Sequence, residues 1–194
     1  MTNENPYRDS FGTRPDLTTN PYAPADEVSF GTEGQIILPV GLERGWVGHV
    51  PIVGILMMVH GVAEILAAAG LIVLAFIMPE ALRNEAQQDP ALQGDMVWFL
   101  SALYGTMGLV LLSIGALSIF GGMRVFRYRG YTWGIVALSA GFLTVFGGCW
   151  CFPTALAIGI YGFVVMLNYP VKVAFSLGDV GYSASQIQHA FRKR

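Results

Sequence analysis

From about residue 49 the chain alternates long apolar stretches with short polar breaks, and this alternation predicts the elements. The first stretch runs from His49 to Met78 and ends at Pro79; Glu64 is its one Asp, Glu, Lys or Arg. A helix of that length rises about 45 Å, more than the ~30 Å hydrocarbon core of a bilayer, so it is expected to tilt or protrude. Pro51 falls in its first turn, where a missing N–H costs little. The second stretch, Met96 to Met123, carries no charge. The third, Tyr131 to Tyr169, holds 39 uncharged residues, roughly twice what one crossing needs. It is interrupted at Gly147-Gly148-Cys149-Trp150-Cys151-Phe152-Pro153, where glycines and a proline favour a turn. Two short helices, about 131–149 and 153–169, satisfy both facts, with a re-entrant pair as the alternative because both are near the lower length limit.

The pattern predicts an all-α integral membrane protein: an up-down bundle of four transmembrane helices in a domain of residues 48–169. Residues 1–47 read as a disordered cytoplasmic tail, rich in Pro, Asn, Thr and Gly. Asn-Pro-Tyr occurs twice in it, at Asn5-Pro6-Tyr7 and Asn20-Pro21-Tyr22, either as docking motifs or, the simpler reading, as local turns. Ile36–Val40 is apolar enough to touch the membrane surface or pack under the helices. Residues 170–194 form a second cytoplasmic tail. There Ser183 and Gln186 make a capping box, and Ile187, Ala190 and Phe191 share one side of a short amphipathic helix. With His189 and Arg192-Lys193-Arg194, this reads as a helix lying on an anionic membrane surface.

Composition agrees: 54% of residues are hydrophobic and 12% charged, about half the charge of an ordinary soluble domain. The placement of the charges sets orientation. With the N-terminus inside, the cytoplasmic segments 1–47, 124–130 and 170–194 carry 3, 3 and 4 basic residues, against Arg83 alone outside. This follows the positive-inside rule, with Arg124, Arg127 and Arg129 as the topology anchors. Trp98, Trp133 and Trp150, with Tyr128 and Tyr131, fall where interfacial aromatic belts are expected. No cleavable signal peptide is visible, so the first span is expected to act as an uncleaved anchor in a bacterial inner membrane. No basic domain with interleaved aromatics supports nucleic-acid binding.

Candidate chemistry is sparse. His60 and Glu64 are four residues apart, hence on one helix face, and an ionisable residue near mid-bilayer is a functional candidate by default. The other reading is a structural pair that pins the first helix to its neighbours. Depth matching in an up-down bundle puts Ser113, Ser139 and Tyr161 close enough to donate to the carboxylate. Haem is disfavoured, because His49 is about 16 Å of helix from His60. Cys149 and Cys151 are too few for a zinc site and are read as free turn cysteines. No motif for catalysis, cofactor or metal binding is present.

Small residues recur at packing spacing in Ser118–Gly122, Ala137–Gly141 and Ala155–Gly159, within one bundle or between copies. Asn20-Pro21-Tyr22-Ala23-Pro24, the basic segment Arg124–Arg129, Cys151-Phe152-Pro153 and Leu167–Phe175 carry a resemblance to small bacterial four-helix membrane proteins of the domain-of-unknown-function type. It is best over the last 70 or so residues, and implies no activity. The expectation is a non-enzymatic scaffold or accessory subunit in the bilayer, partnered by itself or another membrane protein. A small proton- or cation-linked transporter or sensor centred on His60 and Glu64 is the alternative.

Overall fold

A computed structural model describes residues 29–30, 36–38, 45–86, 95–144 and 152–192. The chain divides into two compact units, Met1–Gly41 and Leu42–Arg194. In the first, β1 (Ser29–Phe30) and β2 (Ile36–Ile37) pair antiparallel, Ser29 opposite Ile37 and Phe30 opposite Ile36. This short ladder lies within the segment expected to be disordered. The Asn-Pro-Tyr repeats and the Cys149–Cys151 turn lie outside the described residues.

The second unit begins before the expected boundary at residue 48 and is helical. A 3-10 turn at Val47–His49 leads into α1 (Val50–Ala86), followed by α2 (Asp95–Phe126), α3 (Tyr131–Leu143), α4 (Phe152–Met166), α5 (Tyr169–Val180) and α6 (Ala184–Arg192). Helix α1 runs through Pro79 instead of ending there. Proline removes one hydrogen bond to the preceding turn, and the bonds on either side carry the helix on. Helices α1 and α2 are long and apolar enough to cross a membrane, and α4 with α5, bent by 79°, could make a third span. Described α3 has 13 residues and α4 has 15, about 20 Å and 22 Å, so each alone falls short of ~30 Å.

A repeat of seven explains how α1 and α2 pack. Gly54, Gly61 and Ala68 stand on α1, and Gly122, Gly115 and Gly108 face them in reverse order. A Cβ on Gly61 would lie 2.7 Å from the Gly115 carbonyl oxygen, and one on Gly115 would lie 2.8 Å from that of Gly61. Gly54 and Gly122 repeat the arrangement at 2.8 and 2.7 Å. Seven residues are close to two helical turns, so the small positions stay on the shared seam. The backbones therefore come close enough to gain dispersion along the contact. The expected small pairs are used within the chain: Ala137 packs against Gly121 of α2, and Gly159 against Phe142 of α3.

Below the helices, in the direction of the 3-10 turn, the best-buried large side chains form a cap. Tyr128, Phe175, Ile187 and Phe191 are almost fully enclosed together with Val47 and Val171. Tyr128 was expected in an interfacial belt; instead a left-handed backbone (φ 55°) turns it inward. Its hydroxyl donates to the Val47 carbonyl at 2.8 Å, and its ring packs on Phe175 at 6.0 Å. A side chain on Gly178 would run into the Tyr128 carbonyl. The capping box forms: Ser183 N–H donates to Gln186 Oε1 at 2.9 Å, and Gln186 N–H to Ser183 Oγ at 3.3 Å. The membrane-surface reading of α6 changes, however. Ile187 and Phe191 are covered by the chain itself, leaving its polar side outward.

Candidate functional site

The α1–α2 seam carries a buried polar group. Glu64 is 1% exposed and His60 7%, and Glu64 Oε1 lies 3.3 Å from His60 Nε2. That contact lacks hydrogen-bond geometry, so both atoms are buried without a hydrogen-bond partner. The other carboxyl oxygen, Oε2, accepts from Ser118 Oγ at 3.3 Å. Gly61 and Gly115 hold the helices together beside the pair, and a Cβ on Gly115 would stand 3.2 Å from Glu64 Cβ. The carboxyl group is thus enclosed because the adjacent backbones touch.

On its other side His60 borders a small cavity whose walls include Met57, Ser118, Ala137, Phe142 and Ala155. Its volume of about 10 Å³ is at the threshold for a single water molecule. The walls are largely apolar. This geometry can hold a proton or a bridging water.

The structure brings together His60 and Glu64 of the expected set and separates the other three. Ser113 and Ser139 are exposed, and their hydroxyls donate to the Leu109 and Ile135 carbonyls one turn back, each at 2.9 Å. Depth alone selected them, and rotation about each helix axis points them away. Tyr161 instead sits at 2.8 Å from His49 Nδ1, with Trp46 completing an aromatic cluster at the end of α1. Ser118 is the missed member. The signal was available: Ser118 stands three residues after Gly115 and four before Gly122, on the same face of α2.

Arg124, Arg127 and Arg129 project from the exposed α2–α3 turn, while Tyr128 between them enters the cap. Burial pushes the Tyr128 phenol above its usual range, partly offset by the Gln188 amide that donates to it. Among the described residues no group of three or more His, Cys, Asp and Glu side chains is placed to hold a metal ion. Comparison with protein-family models, curated proteins and solved structures finds no match to this chain.

Proposed function

We propose that the chain is a four-span protein of the bacterial inner membrane, with both ends cytoplasmic, and that it acts as a non-enzymatic scaffold or accessory subunit. The observation that carries this is the apolar upper half of the α1–α2 hairpin, which is largely exposed among the described residues. Only 17% of the most apolar stretch of α1 is buried within the chain. Phe76 on α1 and Trp98 on α2 are 78% and 77% exposed. An apolar surface this long needs lipid or another membrane protein to cover it. The cavity beside His60 has room for about one water, which favours a packing role over a transport path.

A photo-crosslinking side chain at position 76 or 98 in living cells tests the proposal. A scaffold yields a discrete protein adduct at these positions. Lipid adducts alone would refute it. The second reading, a proton-linked site, rests on the two unpartnered buried atoms of His60 and Glu64. It requires pH-dependent ion movement in liposomes that Glu64→Gln abolishes at unchanged stability.

A further inference from the structure

We propose that the α2–α3 turn binds the phosphate of an anionic phospholipid through Arg124, Arg127 and Arg129, with Phe120 and Trp133 as an aromatic shelf. This rests on the membrane reading and adds the class of lipid recognised.

Three guanidinium groups leave one tight turn. The N–H groups of Arg127 and Arg129 both donate to the Arg124 carbonyl, at 3.1 and 2.9 Å. Tyr128, anchored to Val47, fixes the turn from inside. The Arg124 guanidinium lies over the Phe120 ring, 4.9 Å from its centroid, and Phe120 meets Trp133 edge-on at 5.6 Å. This contact holds the guanidinium over the ring, and a guanidinium can offer its N–H groups to a bidentate anionic partner. Phe120 and Trp133 are themselves exposed, at the depth where aromatic rings meet lipid headgroups.

The three charges also lack an internal counter-charge among the described residues. Among the described residues no carboxylate oxygen comes within 4.0 Å of any of them. Asp179, the acid at this turn, accepts instead from the Gly130 N–H at 2.9 Å. A zwitterionic headgroup brings its own ammonium, which the arginines repel. An anionic headgroup such as phosphatidylglycerol brings a phosphate and no positive charge, so it matches the site.

The test uses the full chain in mixed micelles of phosphatidylglycerol and phosphatidylcholine, with retained lipid counted by native mass spectrometry. The wild type should retain phosphatidylglycerol preferentially. Arg124→Gln should lower that retention about fivefold, the usual effect of one basic residue near an anionic surface. Phosphatidylcholine retention and thermal melting should be unchanged. Lys172→Gln, an exposed cation on α5, should keep the preference. Equal retention by wild type and Arg124→Gln, or an equal loss in Lys172→Gln, would overturn the site. Displacement of the lipid by inorganic phosphate would overturn the lipid assignment in favour of a free anion. Failure of the chain to associate with either lipid would instead remove the membrane reading itself.

Discussion

Adding one methyl group at Gly61 should loosen the α1–α2 seam, and the same change at Gly70 should not. At Gly61 the new Cβ would sit 2.7 Å from the Gly115 carbonyl oxygen, whereas at Gly70 it meets nothing within 4 Å. Reaching an ordinary contact of about 3.4 Å requires the backbones to part by roughly 0.7 Å, which forfeits a quarter to a half of each nearby dispersion contact. Overpacking of this kind costs about 1–3 kcal/mol. Replacing a mid-helix glycine by alanine returns up to about 1 kcal/mol of helix propensity. The propensity gain is common to both variants, so their difference isolates the clash. Gly70→Ala should be neutral or up to about 1 kcal/mol more stable than wild type. Gly61→Ala should fall about 1–3 kcal/mol below Gly70→Ala. Reversible unfolding in mild detergent, followed by helix signal against denaturant, measures the difference. Equal stability of the two variants would refute the close backbone contact and the register built on it.

Glu64→Gln should be mild, because the amide oxygen still accepts from Ser118. Glu64→Leu strands that hydroxyl and His60, and should cost about 1–3 kcal/mol in the same unfolding assay. Tyr128→Phe removes the bond to Val47 and should cost about 1 kcal/mol. The raised phenol also sets a pH dependence. Its folded value lies above the ordinary 10.0, so its contribution is fully present below about pH 10 and is lost as pH rises through the folded value. The alkaline decline of the wild type should therefore exceed that of Tyr128→Phe; parallel curves would contradict the assignment. A single cysteine at position 127, in a background without Cys149 and Cys151, should react with an impermeant reagent from the cytoplasmic side alone. Native Cys149 and Cys151 should react from the outer side, and protection of both would favour a re-entrant α3–α4 pair over two crossings.

The long helices were legible because an uncharged run is one-dimensional information: Met96–Met123 predicts most of α2 without knowledge of its neighbours. The His60–Glu64 contact was legible for the same reason, being set by helical spacing within one element. Ser113 and Ser139 were not resolved by depth, since a residue's height in a bundle says nothing of its azimuth, whereas Tyr161 was misplaced in depth itself, as its bond to His49 at the start of α1 shows. The heptads at Gly54, Gly61 and Ala68 and at Gly108, Gly115 and Gly122 carry that azimuth, and they would have selected Ser118. The reassignment of α6 has a different cause. An amphipathic face predicts that something apolar covers it, and Phe175 and Tyr128, distant in sequence, belong to the same buried cap as Ile187 and Phe191.

The Tyr128 knot also fixes when the fold can be finished during synthesis. Its hydroxyl joins a carbonyl 81 positions earlier and an amide 60 positions later. Val47 emerges from the ribosome before the first apolar helix, and Ile187 to Phe191 emerge last among the residues of the cap. The helices can therefore pack in order while the cap stays open. It closes only when residues beyond α5 arrive, so a chain stalled at Val180 would keep Tyr128 and Phe175 uncovered. Closure of the cap thus marks the completed chain, because it is the step that removes this aromatic surface from its surroundings.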